Sequence, residues 1–275
     1  SNLVDPGDVV VLKPNLVGAQ RIAFEGCTRP AVLRPIVELA ATAGASKVVI
    51  AEGPADPDLS DEVFLSLDID DLVQEMQTKY PAVSISYQNI NKDNWTWVDL
   101  AEYSTFHGVY TPQDLYSYRE IRMDQNSYYH APDSEGYNPH GYKPGLYAIS
   151  NTILEADVFI NVPKMKVHMI TGVTMSLKNL IGITVSDTEN ATNQEDIKDV
   201  PHWNTSYSHR GEDKERIDTF ENDVIWRVNA DLHKIAFYAD KEGNLQPTKQ
   251  RKYLSVLDGI IGMEGPLIYD ETPDP

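Results

Sequence analysis

Four short apolar runs, each broken off by polar residues at a turn, constrain this chain more than any other feature. Val9-Val10-Val11-Leu12 ends at Lys13-Pro14-Asn15, and Lys47-Val48-Val49-Ile50-Ala51 ends at Glu52-Gly53-Pro54. Further on, Asp157-Val158-Phe159-Ile160-Asn161-Val162 ends at Pro163, and Tyr253-Leu254-Ser255-Val256-Leu257 ends at Asp258-Gly259. Runs this short and this apolar suit strands covered on both faces, as the strands of parallel sheets are. Between the first two, Ala31, Val32, Leu33, Ile36, Val37, Leu39 and Ala40 recur at helical spacing up to a stop at Gly44. Thr28 reads as the N-cap of that helix and Pro30 suits its first turn, while Pro35 marks a kink or the true start. Strand, helix and strand form a βαβ unit, so the two strands should be parallel and the crossover right-handed. The expected fold is a three-layer α/β domain with a mainly parallel sheet, a single domain over residues 1–275.

In open α/β sheets the ligand crevice lies outside the carboxyl ends of the strands. If the four strands are neighbours, Lys13, Asn15, Glu52, Lys164, Lys166, His168, Asp258 and Glu264 line one edge. Lys164, Lys166 and His168 alternate, so in extended chain they share a face. Gly259, Gly262 and Gly265 recur every third residue after the last strand, a loop that can offer backbone N–H groups to an anion. A helix is expected from Thr171 to Ile181, stopped by Gly182, with Thr171, Thr174 and Lys178 aligned. A longer helix, Glu221 to Ala239, should bury Ile225, Val228, Leu232, Ile235 and Ala236, beside a second stripe of Trp226, Asn229 and His233. In that stripe His233 reads as a packed partner of Trp226 rather than a catalyst.

Two stretches do not fit this grammar. Residues 80–147 hold 11 of the 15 tyrosines with Trp95, Trp97 and three histidines, which suggests an inserted, Tyr-rich irregular segment. Residues 186–219 are polar and aperiodic, which marks either a disordered stretch or a lid-like loop that closes over a site. The chain is also expected to continue past residue 275, because an α/β domain would add a helix and a strand after Gly265.

With 42 acidic and 23 basic residues the formal charge is −19, which argues against a nucleic-acid binder or attraction to an anionic membrane. No run of about 18 apolar residues exists to span a bilayer. Cys27 is the single cysteine, so a disulfide framework or a cysteine-ligated iron–sulfur cluster within this chain is excluded. No signal peptide is visible; a cytoplasmic location, or export with the signal already removed, both stay open. There is no Gly-x-Gly-x-x-Gly opening a helix, no Walker-type Gly-Lys-Ser/Thr and no Gly-x-Ser-x-Gly elbow.

The residues so far also carry a resemblance. Leu12-Lys13-Pro14-Asn15, Thr28 with Pro30, and Glu52-Gly53 are part of it. So are the run from Asp157 through Asn161, Pro163, Lys164 and Lys166 to His168, the stretch Thr174 to Gly182 with Lys178-Asn179, and Asp258-Gly259 through Glu264-Gly265. Together they resemble the domain-of-unknown-function family numbered 362, and the specific part is Lys-x-Lys-x-His with Lys-Asn-x-x-Gly. Some members carry ferredoxin-like cysteine clusters; with Cys27 alone that part does not carry over. The resemblance names no reaction, and the cofactor stays unknown beyond the absence of an iron–sulfur cluster within this chain.

Chemically, Lys13, Lys164, Lys166 and Lys178 around one cleft would favour a small phosphate- or carboxylate-bearing metabolite, or would activate one lysine as a base. Asn15 and Asn179 would complete the wall, with His168, Glu264 or Asp258 moving a proton. Glu52 and Asp258 could equally be counter-ions that hold the lysines, and the lysines could simply be solvated. Two rival readings remain: a non-catalytic module that binds a protein partner through residues 80–147, and a metal-assisted enzyme. Asp56, Asp58, Asp61 and Glu62 could bind a hard cation, or form an acidic turn or helix start; no metal ligand set is assigned.

Overall fold

The computed structural model describes residues 2–19, 22, 25–54, 59–105, 107, 145–168, 172–185, 214–264 and 272–274, with only the backbone path for 214–225, 263–264 and 272–274. All four expected runs form strands of one sheet. They are β1 (Val9–Pro14), β2 (Lys47–Glu52), β6 (Val158–Val162) and β9 (Lys252–Ser255). A fifth strand, β3 (Ser84–Asn89), lies at the edge, and the order is β3-β2-β1-β6-β9 with every pairing parallel.

Period-two burial sorts the side chains into two cores. Val10 and Leu12 of β1, Val48 and Ile50 of β2, and Ile160 of β6 face one layer. There they meet Leu33, Val37 and Ala40 of α1 (Pro30–Thr42) and, from α2 (Ser60–Ser66) and α3 (Ile69–Lys79), Phe64, Leu72 and Met76. Val11, Val49 and Phe159 face the other layer, against Val228, Leu232, Ile235 and Ala236 of α6 (Lys214–Tyr238). That second layer also holds β4 (Trp95–Asp99), β5 (Leu146–Ser150) and α4 (Asn151–Leu154). The result is a three-layer α/β fold around a mainly parallel sheet.

Two buried polar groups fasten the second layer. The Asp231 carboxylate accepts hydrogen bonds from Ser104 Oγ (2.6 Å), Thr105 N (2.8 Å) and Tyr147 O–H (3.1 Å). Burial first, and then Asp231, push the Tyr147 phenol well above its ordinary pKa. The Arg251 guanidinium, also buried, donates to the carbonyls of Ile235, Ala236, Ala239 and Leu154 and so closes the C-terminus of α6.

Several expectations are corrected. Thr28 is not the cap of α1: Arg29 holds that position, and Pro30 opens the helix. Pro35 sits within it at the sixth position, where it forfeits the hydrogen bond an N–H there would give to Ala31 O. The stretch 171–181 is not one helix. Gly172–Thr174 forms β8, antiparallel to β7 (Lys164–His168), and only Ser176–Asn179 is helical (α5), followed by a 3₁₀ turn at Leu180–Ile183 that contains Gly182. Pairing with β7 uses the β-branched Val173 and Thr174, and outweighs helical spacing. The glycine loop is also absent: Gly259 and Gly262 lie in β10 (Asp258–Glu264), parallel to β7, while Gly265 is outside the described residues.

β6 and β9 thus leave the main sheet and continue, after short breaks at Pro163 and at Val256-Leu257, as β7 and β10. These form a second sheet of order β11-β10-β7-β8, where β11 is Thr272–Asp274. Within residues 80–147, β3 belongs to the main sheet and β4 pairs with β5. Residues 108–144 and the loop at 186–213 lie outside the described residues, as do Asp56 and Asp58. Asp61 stands in the first turn of α2, paired with Lys92 and accepting from Asn89. His233 packs on Phe237 and Tyr253 rather than Trp226, which is exposed under the Arg227 guanidinium.

Candidate functional site

Strands β1, β2 and β3 run outward in one direction from the centre of the sheet, and β6 and β9 in the other. The winding therefore reverses between β1 and β6, and at such a point the loops diverge and leave a crevice at the carboxyl ends. Thr28 bridges the two strands there: its hydroxyl accepts from Asn15 N (2.8 Å) and donates to Val162 O (2.8 Å).

Lys13, at the end of β1, is fully buried and paired with Glu52 at the end of β2 (2.6 Å). Burial lowers the Lys13 pKa, and Glu52 works against that. Glu52 also accepts from Gly53 N (2.8 Å) and Leu16 N (3.0 Å), so each of its oxygens is hydrogen-bonded. Gly182 packs directly on this pair. A Cβ there would overlap Glu52 Oε1 and come within 2.9 Å of Lys13 Nζ. Lys164, at the start of β7, is paired with Asp258 at the start of β10 (3.1 Å), both fully buried. Asp258 accepts as well from Arg29 N (3.0 Å), tying the start of α1 to the second sheet.

The remaining lysines differ. Lys166 Nζ donates to Gly26 O (2.7 Å) from the buried face of β7 that also carries Lys164 and His168. Lys178 in α5 keeps part of its side chain in contact with solvent, yet its ammonium is closely surrounded by protein. Among the described residues it makes no hydrogen bond and no ion pair. Burial, and secondarily the charge of Lys166, pull its pKa down to about 7. Cys27, buried beside Gly18 O, has its thiol pKa raised by burial, with Lys166 pulling the other way.

Three asparagines link these parts in a fixed order. Asn161 Nδ2 donates to Ser176 O (2.7 Å), a group that can only accept, so its Oδ1 must be the atom facing Asn179 Nδ2 (2.7 Å). Asn179 Nδ2 also reaches Lys13 O and Pro14 O, which leaves Asn179 Oδ1 to accept from Lys13 Nζ (3.3 Å) and Asn15 Nδ2 (2.9 Å). At the end of the series Asn15 Oδ1 is buried without a hydrogen-bond partner, and so is Thr174 Oγ1. Thr174 stands opposite Lys166 in the β7–β8 register.

The structure therefore brings together Lys13, Asn15, Glu52, Lys164, Lys166, Lys178, Asn179 and Asp258 at the expected edge, while His168, though buried, lies at the far end of β7. Glu264 lies at the far end of β10, with its side chain outside the described residues. Sequence reasoning gave no site role to Asn161, Thr28 and Thr174. Asn161 carried a signal, since an amide inside a fully buried strand must find partners; Thr28 and Thr174 were masked by their reading as helix residues. Among the described residues no group of three or more His, Cys, Asp or Glu side chains is placed to hold a metal ion. Among them, too, no helix is long and apolar enough to cross a membrane.

The model of the family described as a domain of unknown function (DUF362) matches residues 10–119 and 121–274. A curated relative, the thylakoid-associated protein sll1697 of Synechocystis sp. (strain PCC 6803), is 28% identical over 181 residues. That alignment covers 66% of this chain but 40% of the relative, so the chain spans about two fifths of the length of the protein it matches. No solved structure matches.

Proposed function

The chain belongs to the DUF362 family, and from that premise we propose that it binds a small phosphate- or carboxylate-bearing metabolite at the β1/β6 crevice and acts on it as an enzyme. The observation that carries this reading is Lys178: an ammonium withdrawn from water, beside Lys166, with no counter-ion among the described residues. Clustered cations are destabilising when empty and become favourable once an anion lies between them. Lys13 and Lys164 have carboxylate partners, so they serve as the framework, and Lys166 and Lys178 are the groups that hold the anion. With a pKa of about 7, Lys178 can also give or take a proton at neutral pH.

The test is thermal unfolding against phosphate, sulfate, simple carboxylates and phosphosugars, with Lys178→Met and Lys166→Ala alongside. A ligand at about 100 times its Kd adds about 2.7 kcal/mol to the wild type. Each substitution should weaken binding by about 1.5–3 kcal/mol, the worth of a charge-assisted hydrogen bond. Equal shifts in wild type and both variants would remove the lysines from the reading.

A further inference from the structure

Given the anion site proposed above, on which this rests, we infer that its ligand carries a hydroxyl or amino hydrogen-bond donor next to the anionic group: a hydroxy acid, an amino acid or a hydroxylated phosphate ester, not a bare anion. The geometry that points to it is the pair of buried, unpartnered oxygens, Thr174 Oγ1 on the residue opposite Lys166 and Asn15 Oδ1 on the residue bonded to Asn179, which follows Lys178 in α5. Asn15 is 8% exposed and Thr174 3%, so bulk water does not supply the missing partners.

The orientation of Asn15 is not free. Turning its amide over would place its oxygen against Asn179 Oδ1, and that oxygen is fixed in turn by Asn161, Ser176 O and the two carbonyls of β1. A fixed, buried carbonyl oxygen can be satisfied only by a donor. A carboxylate or a fully ionised phosphate oxygen offers none. The lysines at hand are Lys166, committed to Gly26 O, and Lys178, which makes no bond to Asn15. Thr174 is placed by the β7–β8 register on the same side as Lys166, and its hydroxyl can donate to the anion or accept from the same ligand group. The site thus offers a positive half, Lys166 and Lys178, and an acceptor, Asn15 Oδ1, tied to it through Asn179, the neighbour of Lys178. Sites that present a buried acceptor discriminate strongly against analogues lacking the donor, because the acceptor is then left unpaired.

Calorimetry with matched pairs tests this: lactate against propionate, serine against propionate, glycerol 3-phosphate against propyl phosphate, and inorganic phosphate alone. We expect at least one donor-bearing member to bind about tenfold or more tighter than its partner. In Asn15→Ala that preference should collapse, the affinity of the donor-bearing member falling to that of its partner. Thr174→Val, which keeps the shape and strand propensity of the residue, serves if the first variant does not fold, and should reduce the same preference. Equal binding within every pair would overturn the inference and leave the anion site standing. No binding of any anion, inorganic phosphate included, would overturn both.

Discussion

Two regions of this molecule bury charge, and they do so in opposite ways. In the layer around α6, Asp231 is surrounded by hydroxyls and a backbone N–H, and Arg251 by four backbone carbonyls. Each charge is met chiefly by neutral dipoles whose positions follow from the fold, with Lys234 adding an ion pair to Asp231 at 3.4 Å, which is a structural use of charge. At the strand ends, Lys13 and Lys164 have carboxylate partners, and the ammonium of Lys178 has no partner among the described residues. Burial of charge is common to both regions and says little about function. What separates them is the ammonium of Lys178 beside a second lysine, because buried unpartnered polar atoms occur in both regions: Asn15 Oδ1 and Thr174 Oγ1 at the strand ends, Asn229 Oδ1, His233 Nδ1 and Arg251 Nε around α6.

The contrast can be broken by substitution. The largest effect is expected for Gly182→Ala, because the new methyl group must displace Glu52 from Lys13. Splitting a buried pair costs about 3–5 kcal/mol, read as a lower urea midpoint at unchanged slope. Lys164→Met should cost about 3 kcal/mol, at the lower end, since Asp258 keeps the Arg29 and Ile260 N–H groups. The double variant Lys164→Met/Asp258→Leu should recover most of that loss. If it does not, the pair holds the second sheet in place by more than charge.

A smaller effect sharpens the comparison by pH. Lys178 has a folded pKa of about 7 against an ordinary value of 10.5, so between these values the unfolded chain holds a proton that the folded chain has lost. Stability should therefore rise with pH across that window. Lys178→Met should flatten the rise, and saturating phosphate should oppose it by keeping the ammonium protonated. A slope identical in wild type and variant would remove Lys178 as its source. Smallest of all is Arg34→Ala, which breaks a solvent-exposed pair with Glu75 and should move the midpoint by less than about 0.5 kcal/mol.

The sequence makes the sheet legible where burial is two-sided. Val9–Leu12 and Val158–Val162 have no polar face, and their assignment needs only length and composition. β3 escaped because Ser84–Asn89 is an edge strand that buries only some of its side chains and so resembles a loop. Residues 172–179 misled for a different reason: Thr174 and Lys178 are spaced for a helix, but the antiparallel partner of Val173 lies in β7 and is invisible to a local window. The site was legible as a set of residues at one edge, since strand ends fix it. Which carboxylate pairs with which lysine was not, because the partners are 39 and 94 residues apart and only the three-dimensional register joins them.

The central pairing of β1 with β6 has a kinetic consequence. β1 and β2 are joined by a single helix, whereas Val10 meets Val158 only after the long intervening chain has been gathered in. Closing that loop carries the larger entropic penalty, so the unit from β1 to β2 should form first and the β1–β6 seam late. Lys13, Asn15 and Glu52 belong to the early half, and Asn161, Lys166 and Lys178 to the late one. The proposed anion site is therefore divided along the slowest seam of the molecule, and a half-folded chain would hold only half of its residues. In refolding followed by stopped flow, recovery of ligand binding should lag behind recovery of helical signal; simultaneous recovery would show that the seam closes together with the first unit.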